Sequence, residues 1–141
     1  MVTRGLRLSH YPEACLQLPP ITRTDVRLLW HFDFYDGPIS GMLLFNGRRC
    51  WFQMVAENEE PNGWYRRFLI VALSEEQIAT EERWHELFRE HVGHHTDYDA
   101  EGHRNSGTTR PREEWDHFYR PYGQREPLDL SRNDVLAYLE W

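Results

Sequence analysis

Imidazoles and carboxylates crowd into one short stretch of this chain: His85, His91, His94, His95, Asp97, Asp99 and His103. These are ligand types for zinc, manganese or iron, and His94, Asp97 and Asp99 are also suited to general acid or base work. The metal set the stretch offers is His91, His94, His95 and Asp97, which would hold a divalent ion such as zinc and support hydrolysis. The spacing argues against it. His85 and His91 are six apart and leave different sides of a helix, so "HELFREH" misses the H-E-x-x-H pattern. His91 and His95 have a helical spacing, but Gly93 falls between them. The competing reading needs no cofactor: solvated loop residues, plus a histidine favoured by the negative end of a helix.

The nucleophile candidates are weaker. Cys50 lies inside an apolar strand and reads as a buried small hydrophobe. Ser40 in "GPISG" misses the G-x-S-x-G elbow by one position, and a strand follows where that elbow needs a helix. All sixteen basic residues are arginine. The arginine usage of a GC-rich genome explains this, yet the absence of lysine excludes lysine Schiff bases, the P-loop lysine and the kinase strand lysine. Cys15 and Cys50 form no C-x-x-C pair, so neither a thiolate zinc site nor a disulfide framework is indicated. The arginine pairs Arg48-Arg49 and Arg66-Arg67 read as exposed strand residues that pair with glutamates.

Large aromatics are a better lead. The chain has six Trp, seven Tyr and seven Phe. Trp51, Trp64, Tyr65, Trp115 and Trp141 exceed what a small core comfortably hides, and aromatic residues are enriched at interaction hot spots. Burial under a long loop is the alternative. Asp36 and Ser40, in the turn-like "DGPISG", are the remaining binding candidates.

The elements that must position these residues are set by periodicity. "DVRLLWHFDFY" alternates as a strand, with Val26, Leu28, Trp30, Phe32 and Phe34 on one face. "DGPISG" connects it to the next strand; Gly37 and Gly41 supply unusual backbone angles, Pro38 stiffens the turn and Asp36 caps it. "MLLFNGRRCWFQMV" is a hairpin around a type I' Asn-Gly turn, which sets Leu43 opposite Cys50 and Met42 opposite Trp51. "AENEEPNGWY" reads as a connection, and "RRFLIVALS" as a central strand. "SEEQ" is a capping box that opens the main helix over residues 75–92, with a stripe of Ile78, Trp84, Leu87, Phe88, His91 and Val92 and a stop at Gly93. Residues 94–127 read as a long polar loop with a short helix in "REEWDHFY"; "LDLSRNDVLAYLEW" suits a closing strand, with a helix capped by Ser131 as the alternative.

The expected architecture is α+β: an antiparallel meander of about four to five strands packed against one main helix, with a long polar loop and a short second helix. One domain over residues 1–141 is expected, with 1–24 as an irregular, proline-interrupted arm. A net charge of -7 disfavours nucleic acid. No apolar run approaches the roughly eighteen residues that span a bilayer, and no signal peptide is evident, so a cytoplasmic protein without a membrane partner is expected. The functional expectation is a small, soluble, non-enzymatic protein of regulatory, antitoxin or immunity type, whose partner is another protein or a second copy of itself. The metal-dependent hydrolase and a small-molecule binding module are the alternatives.

Overall fold

Asn46 and Gly47 both adopt positive φ, 53° and 73°, and this tight turn sets the register of a sheet. In the computed structural model, which describes residues 3–4, 17–62, 64–105, 107 and 109–141 but not the side chains of 3, 4, 59–62, 64 and 65, Leu43 lies opposite Cys50 and Met42 opposite Trp51. The two-residue turn matches the strand twist, so the flanking residues meet as the alternation predicts. Cys15 and most of the N-terminal arm lie outside the described residues. The described chain forms two compact units, Ser74–Leu128 and the chain on either side of it.

The first unit is a mostly antiparallel sheet. Its strands are β1 (Thr3–Arg4), β2 (Pro20–Ile21), β3 (Val26–Phe34), β4 (Pro38–Phe45), β5 (Arg48–Asn62), β6 (Trp64–Ala72) and β7 (Asp134–Glu140). Six lie in the order β1-β7-β6-β5-β4-β3, and β2 pairs with β7 in parallel off that path. The expected four to five strands are therefore too few. β1 and β2 are dipeptides, too short to leave any periodicity in the sequence. A second correction concerns "AENEEPNGWY": it is not a free connection, because β5 runs on to Asn62 and pairs with β6 from Trp64, with a register break between Glu57 and Asn62.

β6 sits between β5 and β7, and Phe68, Leu69, Ile70, Val71, Ala72 and Leu73 are all buried. An uninterrupted apolar run is what a strand covered on both faces requires. Phe52 meets Phe68 edge to face at 5.8 Å between ring centroids. Each fully buried side chain of this size contributes about 1.5–3 kcal/mol. Gly41 has an ordinary backbone; its role is close approach, since a Cβ there would lie 2.7 Å from His31 Cα and 2.9 Å from the Phe52 ring. The arginine pair on β6 is not exposed as expected. Arg66 and Arg67 are both buried, and Arg67 Nη2 donates to Glu140 Oε1 at 2.8 Å across the β6–β7 pair.

The second unit opens with α1 (Glu75–His91). Ser74 Oγ accepts from Gln77 N at 3.1 Å and Gln77 Oε1 accepts from Ser74 N at 2.9 Å, completing the capping box. Gly93, at φ 153°, ends the helix and donates to Phe88 O at 3.0 Å. Isolated bridges then pair Gly93 with Thr109 and Tyr98 with Arg104, so the polar stretch folds back on itself before α2 (Arg112–Gly123). Trp84, Phe88, Phe118 and Tyr122 join the two helices, with Phe88 and Phe118 in edge contact at 5.2 Å and Phe118 stacked on Tyr122 at 4.9 Å.

α1 also buries two polar residues, Glu81 and His85. Arg125 Nη1 reaches both Glu81 oxygens, at 3.1 and 2.8 Å, and Nη2 donates to Tyr122 Oη at 3.1 Å. Burial raises the Glu81 carboxyl above the ordinary glutamate range, and the Arg125 charge counteracts this only in part. Among the described residues, no helix is long and apolar enough to cross a membrane.

Candidate functional site

Residues 33–36, Asp-Phe-Tyr-Asp, span the end of β3 and the start of the turn to β4, and all four are exposed. Strict alternation along β3 would bury Phe34. Instead the pairing with β4 shifts three times: Leu29 is an extra residue between the Leu28–Leu43 and Trp30–Met42 pairs, Phe32 an extra one between His31–Gly41 and Asp33–Ser40, and a last shift falls between Asp33–Ser40 and Phe34–Pro38, directly before the strand's end. Trp30 and His31, on opposite faces of the strand, are both buried, while Phe34 is 43% exposed and Tyr35 73% exposed. The His31 ring supports Phe34 at 4.8 Å between centroids.

Arg66 holds this turn in place. Its Nη1 donates to Gly37 O at 2.9 Å and Pro38 O at 3.3 Å, its Nη2 donates to Tyr35 O, and its Nε lies 3.3 Å from Glu57 Oε1. Asp36 and Gly37 both have positive φ, at 53° and 136°, so the turn departs from ordinary backbone and needs such anchoring. A guanidinium spreads its donors over separate nitrogens in one plane, a reach that the single nitrogen of an ammonium lacks. Pro38 is the first residue of β4 rather than part of the turn, and Ser40 is a buried strand residue whose Oγ donates to Asp33 Oδ2 at 3.5 Å.

A second polar centre forms around Asp97 in the unit Ser74–Leu128. Asp97 Oδ1 accepts from His85 Nε2 at 2.7 Å, and Oδ2 accepts from Arg89 Nε at 3.0 Å, with His94 Nδ1 at 3.4 Å. Burial lowers the His85 pKa below the ordinary imidazole value, and the hydrogen bond to Asp97 does not fully restore it. Burial works to raise Asp97, but the His85 hydrogen bond and the Arg89 charge outweigh it and hold the carboxyl below the usual range. The consistent protonation at neutral pH is an ionised Asp97 accepting from a neutral His85. Asp97 also accepts through its main-chain oxygen from Asn105 N at 2.8 Å, so the centre ties helix and loop together.

Of the four candidate metal ligands, the structure brings only His94 and Asp97 together. His91 Nδ1 instead faces Glu114 Oε2 at 3.7 Å, and His95 packs its ring on Phe88 at 5.4 Å. Among the described residues, no group of three or more His, Cys, Asp or Glu stands close enough to hold a metal ion. Burial raises the Cys50 thiol to about 11, which suits a packed thiol and not a nucleophile.

The aromatic candidates separate as well. Trp51 is only 4% exposed and packs against Phe32, so it belongs to the core rather than the surface. Its neighbours across the sheet are Met42 and Val71, which explains the burial. Trp115 is half-buried and donates its indole N–H to Arg110 O at 2.8 Å. Trp141 carries the Arg23 guanidinium 3.6 Å above its ring. The side chains of Trp64 and Tyr65 lie outside those described. Sequence reasoning misses Phe34, Tyr35 and Arg66 as site residues, and misses His85 as the partner of Asp97. Only "DFYDG" signals the turn, and nothing in the local pattern marks Arg66 as its anchor. Compared with known protein families, curated sequences and solved structures, the chain matches none of them.

Proposed function

We propose that this protein acts without catalysis, by presenting the Asp33–Asp36 tip to a basic surface of another protein. The observation that carries the reading is the pair of exposed aromatics, Phe34 and Tyr35, held by the buried Arg66 and flanked by two exposed aspartates. Exposed apolar side chains are energetically useful at an interface when they are already ordered, because little conformational freedom is then lost on binding. Aromatics make effective hot spots, and flanking charges select and steer the partner. An acidic tip on a chain of net charge -7 calls for a partner with arginine or lysine around an apolar pocket. The same charge disfavours a second copy docking tip to tip. Regulatory, antitoxin or immunity proteins act in this manner, by occupying a basic partner.

The test compares wild type with Phe34→Ala and Tyr35→Ala as bait, after circular dichroism confirms that the variants fold. A captured protein is then purified and titrated against each form. Each substitution is expected to weaken binding about 30-fold, the loss of a typical hot-spot residue. Full affinity in both variants, or self-association of the wild type that both variants abolish, refutes the reading.

A further inference from the structure

We propose that the pocket beside Asp97 binds a small zwitterion that carries a carboxylate and an ammonium group, of the free α-amino acid type. The pocket has a volume of about 440 Å³ and is lined by Arg89, Asp97, Tyr98, Asp99, Arg104 and Asn105. That volume lies within the range of small-molecule sites, roughly 300–1,000 Å³. All six residues belong to the unit Ser74–Leu128, and four of the six are charged.

The way these groups are already used indicates what is left for a ligand. Asp97 spends both oxygens, on His85 Nε2 and Arg89 Nε. Arg89 commits only its Nε to this contact, which fixes the guanidinium plane; among the described residues its two Nη atoms have no partner. Asn105 gives Oδ1 to Gly107 N at 2.7 Å, leaving its amide N–H groups as donors. Two parallel Nη donors match the two oxygens of a carboxylate. Asp99 Oδ1 is taken by the backbone N–H of Glu101 and His103, at 2.9 and 2.8 Å. Asp99 Oδ2 stands 3.8 Å from His103 Nδ1, beyond hydrogen-bond distance, and is the acceptor for an ammonium group. Arg89 and Arg104 balance Asp97 and Asp99 in formal charge, so the pocket suits a ligand with no net charge. A phosphate dianion would leave the pocket with an uncompensated negative excess. Tyr98 supplies an aromatic wall for the ligand's side chain.

The site shares no residue with the Asp33–Asp36 tip, and its test stands apart from that reading. Isothermal titration of the full chain would use four probes: L-phenylalanine, 3-phenylpropionate (which lacks the amine), phenethylamine (which lacks the carboxylate) and inorganic phosphate. L-phenylalanine is expected to bind at least about 10-fold more tightly than either truncated probe, since each loses a charge-assisted hydrogen-bonded group. Asp99→Asn keeps the Oδ1 acceptor of the turn, so it should fold normally yet lose about 10-fold in affinity for L-phenylalanine. Arg89→Gln should lose as much, while Phe34→Ala should lose nothing. Failure of L-phenylalanine to bind overturns the proposal. So does equal binding of phosphate or 3-phenylpropionate, or full affinity in Asp99→Asn.

Discussion

Replacing Arg66 with methionine tests the physical basis of the tip. The side chain is 4% exposed and donates to the main-chain oxygens of Tyr35, Gly37 and Pro38. Methionine keeps most of the volume and removes every donor. Hydrogen bonds to a charged group are worth about 1.5–3 kcal/mol each. Tyr35 is exposed, so water can replace the bond there, whereas the Pro38 bond is buried and cannot be replaced in that way. Counting the Pro38 bond fully and the other two in part gives a loss of about 3 kcal/mol. For a chain of this size that lowers the thermal midpoint by about 10 °C. Melting followed by circular dichroism measures the global effect. Amide exchange at Tyr35, whose N–H donates to Gly37 O at 2.9 Å, measures the local one and should accelerate. Arg66→Lys keeps the charge but cannot fork, and should recover less than half of the loss. A midpoint for Arg66→Met within about 2 °C of wild type, with unchanged Tyr35 exchange, would show that the turn does not depend on the guanidinium.

The same structure dictates three further outcomes. Cys50, with its thiol pushed up to about 11 by burial, should resist Ellman's reagent at pH 8 in the native protein and react once the protein is denatured; rapid native reaction would contradict its packing. Arg125→Met leaves Glu81 buried and unpaired and should cost about 3–5 kcal/mol, whereas changing Glu81 to Leu together with Arg125 to Met should restore most of that stability in urea titrations; equal losses in the single and double variants would refute the pairing. Acid should loosen the loop around Asp97. His85 has a folded pKa below its unfolded value, so its contribution is complete above about pH 6.5 and declines as pH falls below that. Asp97, also lowered, loses its contribution at more acidic pH, as protons reach the carboxylate. Glu81 is raised and acts in the opposite sense, its contribution being lost as pH rises through its folded value. Amide exchange at Asn105 should therefore quicken between pH 7 and pH 5 beyond the intrinsic pH dependence, and His85→Gln should flatten that slope. A wild-type slope no steeper than the variant's would sink the His85 assignment.

Much of the fold is legible in the sequence because short-range rules set it. Asn46-Gly47 fixes the hairpin register, Ser74 and Gln77 fix the start of α1, and the unbroken apolar run fixes the central place of β6. The closing segment suits a strand or a helix in the sequence, and the structure makes it β7, with Val135, Ala137 and Leu139 buried. The features that escape the sequence depend on partners far apart along the chain. Arg66 reaches Tyr35 and Arg125 reaches Glu81 over separations of 31 and 44 residues, and no local pattern records such distances. The register shifts along β3 leave the alternation in the sequence looking intact, and nothing in it marks Phe34 at the strand's end as exposed. For that reason the histidine cluster draws attention as a site, whereas the exposed Phe34 and Tyr35 look like one end of an ordinary strand. The stretch after Gly93 is polar, as its composition indicates, but its order comes from His85 and Arg89, one turn apart on α1, converging on a single carboxylate.

The most direct test of the tip as a binding surface is photo-crosslinking in the producing cell. A benzophenone amino acid is placed at Tyr35 and, as a control, at Tyr119, which is also exposed. The account predicts one discrete protein adduct from position 35 that is absent from position 119 and lost when Asp33 and Asp36 are changed to arginine. Adducts of equal yield from both positions, or an adduct at position 35 that survives the charge reversal, would contradict it.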